Sequence, residues 1–538
     1  MPPASGHPRL SRRCHPLRRP PQWHGHRHVM PRGCAGARFA CNACLNFLAG
    51  LGISEPISPG WAAMERLSGL DAFFLYMETP SQPLNVCCVL ELDTSTMPGG
   101  YTYGRFHAAL EKYVKAAPEF RMKLADTELN LDHPVWVDDD NFQIRHHLRR
   151  VAMPAPGGRR ELAEICGYIA GLPLDRDRPL WEMWVIEGGA RSDTVAVMLK
   201  VHHAVVDGVA GANLLSHLCS LQPDAPAPQP VRGTGGGNVL QIAASGLVGF
   251  ASRPVRLATV VPATVLTLVR TLLRAREGRT MAAPFSAPPT PFNGPLGRLR
   301  NIAYTQLDMR DVKRVKDRFG VTINDVVVAL CAGALRRFLL EHGVLPEAPL
   351  VATVPVSVHD KSDRPGRNQA TWMFCRVPSQ ISDPAQRIRT IAAGNTVAKD
   401  HAAAIGPTLL HDWIQFGGST MFGAAMRILP HISITHSPAY NLILSNVPGP
   451  QAQLYFLGCR MDSMFPLGPS LATRASTSPS CPSTGNWVSA LSPAPTCCRT
   501  CGAWQTGFPR RSKSCWSAVM TSRKAATTRT PESYVQNR

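Results

Sequence analysis

Between residues 64 and 469 the apolar positions recur with two different periods. Residues 105–117 and 160–171 (RELAEICGYIAG) repeat at helical spacing, with Gly171 placed to stop the second helix. Residues 193–203 (DTVAVMLKVHH) alternate instead. Val195, Val197, Leu199, Val201 and His203 take one face, and Ala196, Met198, Lys200 and His202 take the other, which predicts a strand. A turn at Asp207-Gly208 and a helix over 209–221 follow. Residues 222–237 are rich in Pro and Gly and read as a linker, without the Gly-Lys-Ser/Thr of a phosphate loop. Residues 238–276 are apolar and interrupted by Pro254 and Pro262, which predicts surface or interdomain helices of amphipathic character. Thr322 reads as an N-cap, with Asp325 suited to the positive end of a helix that stops at Gly343. Residues 350–356 and 441–446 read as strands, and no internal repeat is evident. The pattern divides the chain into 64–221, a linker with apolar helices over 222–290, and 291–469.

The flanks are of another kind. With 538 residues, 44% hydrophobic and 17% charged, the chain as a whole is globular in composition. Its net charge of +20 sits mainly at the ends. Residues 1–63 hold eight arginines against Glu55, and residues 470–538 hold nine Lys or Arg against Glu532. Because the excess lies in two atypical flanks, nucleic acid is not the expected partner. The flanks also hold nine of the sixteen cysteines. The other seven are scattered among apolar neighbours, as buried free thiols of a reducing compartment would be. Cys41 and Cys44 have zinc-ligand spacing, but no second pair follows, and no metal site is expected. The start lacks the apolar region of a signal peptide. The apolar run 257–269 is shorter than the roughly 20 residues of a spanning helix. Residues 1–63 are expected to be a non-native or disordered extension, with translation starting at Met64; finding them in the mature protein by peptide mass mapping would refute this.

The chemistry centres on His202-His203-Ala204-Val205-Val206-Asp207-Gly208. Adjacent strand residues point to opposite faces, so the two histidines cannot easily share one metal. One can face a cleft while the other packs inside. An imidazole on a turn after a rigid strand is well placed for proton transfer near pH 7. The plainer reading is a structural histidine pair beside a loop aspartate.

This seven-residue pattern resembles the signature of the CoA-dependent acyltransferase superfamily, which includes chloramphenicol acetyltransferase, peptide-condensation domains and polyketide-associated acyltransferases. Further blocks resemble the bacterial wax ester synthase/acyl-CoA:diacylglycerol acyltransferase (WS/DGAT) family. They are Leu67-Ser68-Gly69-Leu70-Asp71-Ala72 with Phe74-Leu75-Tyr76 and Glu78-Thr79-Pro80, and Pro179-Leu180-Trp181 running on to Gly188. Asn324-Asp325-Val326-Val327 with Gly333-Ala334-Leu335-Arg336, and Ser445-Asn446-Val447-Pro448-Gly449-Pro450, complete the set. The resemblance covers about Met64 to Pro469.

It implies an α/β fold of two chloramphenicol-acetyltransferase-like domains with a tunnel at their interface. It implies transfer of a long-chain acyl group from acyl-CoA to diacylglycerol, a long-chain alcohol or both, without a covalent acyl-enzyme. The lack of a Gly-x-Ser-x-Gly elbow agrees with that. His203 would be the general base, with His202 and Asp207 completing the catalytic motif. Asp207 either orients an imidazole or holds the turn by pairing with an arginine. Gly208, Asn446, Asn324 and Asp325 are candidate substrate-binding or structural residues. Asn446 could touch substrate or oxyanion, or merely stand in a Pro-Gly turn, and Asp325 could simply cap its helix. Trp181 and Trp184 read as core or tunnel wall. No cofactor is expected, since acyl-CoA is a substrate. The partners implied are lipids, compatible with a peripheral membrane or lipid-droplet contact and with a place in the cytoplasm or at the inner face of the cell membrane. Alternatives are a condensation or polyketide-associated acyltransferase, and an inactive lipid-binding relative.

After Pro469 the resemblance stops, where the family continues with a strand reading Gly-Leu-Asn-Ile-Thr-Val. Read in a shifted frame from Arg474, the codons of residues such as Ser476, Ser478, Ser480 and Cys481 permit that strand. A frameshift between about Phe465 and Arg474 is the expectation; an intact frame on resequencing the locus would refute it. Without those strands the second domain would carry unpaired sheet edges.

Overall fold

A computed structural model describes residues 65–126, 132–206, 214–215, 217–231, 239–293, 296, 299–357, 370–405, 413, 415, 438–446, 452–469, 490–491 and 500–503. The helices are α1 (Gly69–Met77), α2 (Tyr103–Ala116), α3 (Arg159–Gly171), α4 (Val239–Ala251), α5 (Arg253–Arg276), α6 (Met309–Phe319), α7 (Ile323–Glu341) and α8 (Pro384–Ile405). The strands begin with β1 (Asn85–Asp93), β2 (Met122–Ala125), β3 (Val135–Asp138), β4 (Leu148–Ala152), β5 (Trp181–Glu187), β6 (Thr194–His202), β7 (Cys219–Ser220) and β8 (Tyr304–Leu307). They continue with β9 (Leu350–Ser357), β10 (Ala370–Val377), β11 (Leu442–Ile443), β12 (Ser445–Asn446), β13 (Tyr455–Phe456), β14 (Cys459–Leu467), β15 (Ala490–Leu491) and β16 (Thr500–Ala503).

The alternating segment forms β6, a central strand of a seven-stranded sheet ordered β4-β5-β6-β1-β14-β13-β7. β1 runs antiparallel to β6 on one side, with Asn85 opposite His202, and β5 runs antiparallel on the other, with Trp181 opposite Val201. Both faces of β6 are covered. Val195, Val197, Leu199 and Val201 pack with Phe106, Leu110 and Val114 of α2. Ala196 and Met198 pack with Leu162, Cys166 and Ile169 of α3. Lys200 lies on this second face with no exposed surface, its Nζ 2.8 Å from Glu182 Oε2 and 3.3 Å from the Leu172 carbonyl. A charge so placed needs such partners, since desolvation penalises it heavily. α3 also meets the chain at residue 300 so closely that a Cβ on Gly167 would fall 2.0 Å from the Arg300 carbonyl oxygen.

A smaller sheet, β10-β9-β11, lies with α7 and α8 around a second core that includes Val328, Leu335, Ile391, Ala352 and Cys375. Thr322 caps α7 as predicted, and Asp325 closes the capping box. The division by sequence at residue 290 does not coincide with the division by sheet. β13 and β14, from the late segment, complete the first sheet, with Cys87 opposite Leu467 on β1.

Two other expectations are corrected. Cys219 and Ser220, read as the end of a helix, form β7, because Tyr455 and Phe456 offer their backbone groups a strand partner. Pro262 does not end its helix: α5 runs through it, with a 48° bend between Val255 and Val260, in the turn before the proline. Residues 258 and 262 are both exposed, so the hydrogen bond a proline cannot make is lost on the solvent side. Of residues 470–538, Ala490–Leu491 pair with Ser445–Asn446, and Thr500–Ala503 pair with Tyr304–Leu307. The seven cysteines between residues 65 and 469 are free; burial pushes the thiols of Cys87, Cys219, Cys375 and Cys459 up to about 12.

Candidate active site

The site is assembled where β6 ends against α1. The block Ser68-Gly69-Leu70-Asp71 is a capping box: the Asp71 amide donates to Ser68 Oγ, and Asp71 Oδ2 accepts from the Ser68 amide at 3.2 Å and from its hydroxyl at 2.7 Å. That sets where α1 begins and therefore its phase. Phe74 and Glu78 are four residues apart, so they stack along one face. Glu78 is the C-cap, in extended conformation, two residues before Pro80.

That face meets the histidine pair. The rings of Phe74 and His203 are stacked, with centroids 3.9 Å apart and planes 12° apart. Glu78 Oε1 stands 3.6 Å from His202 Nε2 and accepts from the Leu84 amide at 3.2 Å. Arg176 donates to Glu78 Oε2 at 2.6 Å and to the Leu75 carbonyl at 2.8 Å, so it satisfies an end carbonyl of α1 as well. Burial works to raise the Glu78 carboxyl; the His202 imidazole and the Arg176 guanidinium overcome it and hold the group at about 2.

The main chain of the pair is held on both sides. His202 N–H donates to the Leu180 carbonyl at 2.9 Å, and His203 N–H donates to the Leu84 carbonyl at 2.8 Å. Leu180 belongs to the Pro-Leu-Trp block, which explains why that block sits beside the histidines. Trp181 itself is buried, its indole N–H donating to the Phe120 carbonyl at 2.8 Å, and Trp184 lies against the second core face.

The two imidazoles differ. His202 is 1% exposed, and its Nδ1 accepts the Ala204 amide at 3.0 Å. A nitrogen that accepts carries no proton, so the ring proton of His202 sits on Nε2, the nitrogen that faces Glu78. His202, placed among the catalytic residues on sequence, is thus buried, with Nδ1 committed to the Ala204 amide and Nε2 facing Glu78 Oε1 at 3.6 Å. His203 stands just past β6 on a turn and is half-buried.

Asp207 and Gly208 lie outside the described residues. Asp325 is buried at the head of α7, where Oδ2 takes the Thr322 amide and hydroxyl and Oδ1 takes the Asn395 amide at 2.7 Å. Its carboxylate serves the helix. Asn324 is half-buried beside it, and Asn446 is exposed on β12. Sequence reasoning missed Phe74, Glu78 and Arg176 as parts of the site. The available signal was the spacing of Phe74 and Glu78 on a helix ending before Pro80.

The comparisons place this arrangement among acyltransferases. Residues 67–327 match the wax ester synthase/diacylglycerol acyltransferase catalytic domain, and residues 367–483 match the WS/DGAT C-terminal domain. A Mycobacterium tuberculosis protein named as a diacylglycerol O-acyltransferase is 33% identical over 422 residues, covering 76% of this chain and 87% of the relative. A Mycobacterium bovis protein of the same designation is 32% identical over 415 residues, covering 75% and 88%. The solved structure of the wax ester synthase/diacylglycerol acyltransferase from Marinobacter aquaeolei shares the fold, with a TM-score of 0.55 and 24% identity over 85% of this chain and 97% of that one. The protein is an acyltransferase. It belongs to the wax ester synthase/diacylglycerol acyltransferase family.

Proposed function

We propose that the protein moves a long-chain acyl group from acyl-CoA to the hydroxyl of diacylglycerol, a long-chain alcohol or both, with His203 as general base. The observation that carries this is the asymmetry of the pair: His202 is 1% exposed and holds the Ala204 amide on Nδ1, whereas His203 is half-buried at the end of a rigid strand with its ring stacked on Phe74. His203 takes the proton of the acceptor hydroxyl as its oxygen attacks the thioester carbonyl. The tetrahedral oxyanion collapses, the carbon–sulfur bond breaks, and the CoA sulfur leaves with the proton returned by His203. Base catalysis of this kind is worth roughly 10²–10⁴-fold.

His202, Glu78 and Arg176 position the base and do not touch the reacting atoms. A tunnel between the two halves admits acyl-CoA and acceptor, and acyl-CoA is a substrate, so no bound cofactor takes part. A peripheral place at the inner face of the cell membrane follows from lipid acceptors.

The test is turnover of radiolabelled acyl-CoA with diacylglycerol or hexadecanol, wild type against His203→Ala. Product from wild type alone is expected. Undiminished turnover in His203→Ala would overturn the mechanism, and no product with either acceptor would overturn the substrate reading.

A further inference from the structure

Past Leu257 and Val260, which turn inward, helix α5 carries its polarity inside out. Its half-buried positions include Thr264, Thr267, Thr271 and Arg274, spaced three, four and three apart along one face. Thr264 Oγ1 accepts the indole N–H of Trp413 at 2.7 Å. The exposed face is apolar. Val261, Val265, Leu268 and Leu272 follow one another at spacings of four, three and four, with Leu266, Val269 and Leu273 beside them; all seven are between 42% and 64% exposed. α4 adds Val239, Leu240, Leu247, Val248 and Phe250, exposed as well. A helix that packs only on its own protein turns its apolar stripe inward. A contiguous outward stripe marks a surface with a partner.

Charge selects the partner. Residues 239–276 contain five arginines, at 253, 256, 270, 274 and 276, and no aspartate or glutamate. A second copy of this face would bring arginines against arginines. An anionic phospholipid surface satisfies both features, since the apolar face enters the acyl boundary while guanidinium groups meet phosphates. Trp413, partly exposed beside Thr264, has the amphipathic ring common at such boundaries. No single described helix is long and apolar enough to cross a bilayer, and the α4–α5 path bends by 48° between Val255 and Val260. That geometry suits lying on a membrane.

We infer that α4 and the outward face of α5 dock this protein on an anionic phospholipid membrane, in the plane of its headgroups. The inference rests on the peripheral membrane place proposed above and deepens it by naming the surface that makes the contact and the lipid charge it selects.

The experiment is flotation of the full chain with phosphatidylcholine vesicles, with and without about 30% phosphatidylglycerol, alongside turnover with a short, water-soluble alcohol. Wild type is expected to float with the anionic vesicles and to be released as salt screens the arginines. Leu268→Glu/Leu272→Glu should lose binding about tenfold or more, and Arg270→Ser/Arg276→Ser should lose the preference for anionic lipid. All of these positions point outward, so turnover on the soluble acceptor should be unchanged. Wild-type flotation indifferent to phosphatidylglycerol, or Leu268→Glu/Leu272→Glu floating like wild type, would overturn the inference. So would a wild-type dimer that the leucine variant dissolves without any vesicle binding. Failure of soluble turnover in every form would instead count against the acyl-transfer reading.

Discussion

Phe74 lies flat against His203, ring centroids 3.9 Å apart, and Glu78, the C-cap of the same helix, faces His202. One short helix therefore grips both histidines at once. The carboxylate also reaches His203 indirectly: it accepts the Leu84 amide, and the Leu84 carbonyl accepts the His203 amide.

Replacing His203 by Ala should lower kcat roughly 10²–10⁴-fold. KM for acyl-CoA should change little, and the circular dichroism spectrum should be that of wild type. Steady-state kinetics with acyl-CoA and a long-chain alcohol make the comparison.

Phe74→Leu keeps a buried apolar group but removes the stacked ring. It should reduce kcat more than it raises KM. Phe74→Ala should also destabilise the protein by about 3–5 kcal/mol, because Phe74 is buried against Leu70 and Leu84. Denaturant melts beside kinetics separate the two effects.

Glu78 links the site to pH. Its carboxyl lies at about 2 when folded, below its ordinary 4.5. A depressed carboxyl adds stability that is complete above its unfolded pKa and is lost as pH falls through the folded one. Wild type should therefore lose this contribution between about pH 4.5 and 2, whereas Glu78→Gln should lack it at neutral pH and show a flatter acid limb. Acid titration followed by circular dichroism, paired with kcat for the same variant, tests the link to catalysis.

Asp325→Ala should cost about 1–2 kcal/mol through the lost half of the capping box of α7 and the lost acceptor of the Asn395 amide. Its KM for acyl-CoA and for the alcohol should stay at wild-type values. A selective rise in either KM would return Asp325 to substrate binding.

Lys200, fully buried in the sheet, pairs with the half-buried Glu182. Lys200→Met leaves Glu182 with the Trp184 indole N–H and, 3.6 Å away, Arg149, and should cost about 1–3 kcal/mol; adding Glu182→Leu should recover part of that. A double-mutant cycle by urea denaturation reads the coupling.

Much of this protein is local in origin and was legible in the residue order. The alternation over 193–203 made β6, Thr322 with Asp325 opened α7, and the ordered blocks around His202-His203 carried the family. Each depends on neighbours a few residues apart, where periodicity and capping act. What required the tertiary structure is set by contacts between distant segments. Strand β14 enters the first sheet because Cys87 meets Leu467, and β7 forms because Phe456 meets Cys219. The unequal roles of two adjacent histidines also needed it. Alternation placed them on opposite faces, but only folding brought Glu78 to one ring and Phe74 to the other. The same holds for α5, whose apolar and threonine stripes are visible in the sequence, while packing alone decided that the threonines turn inward.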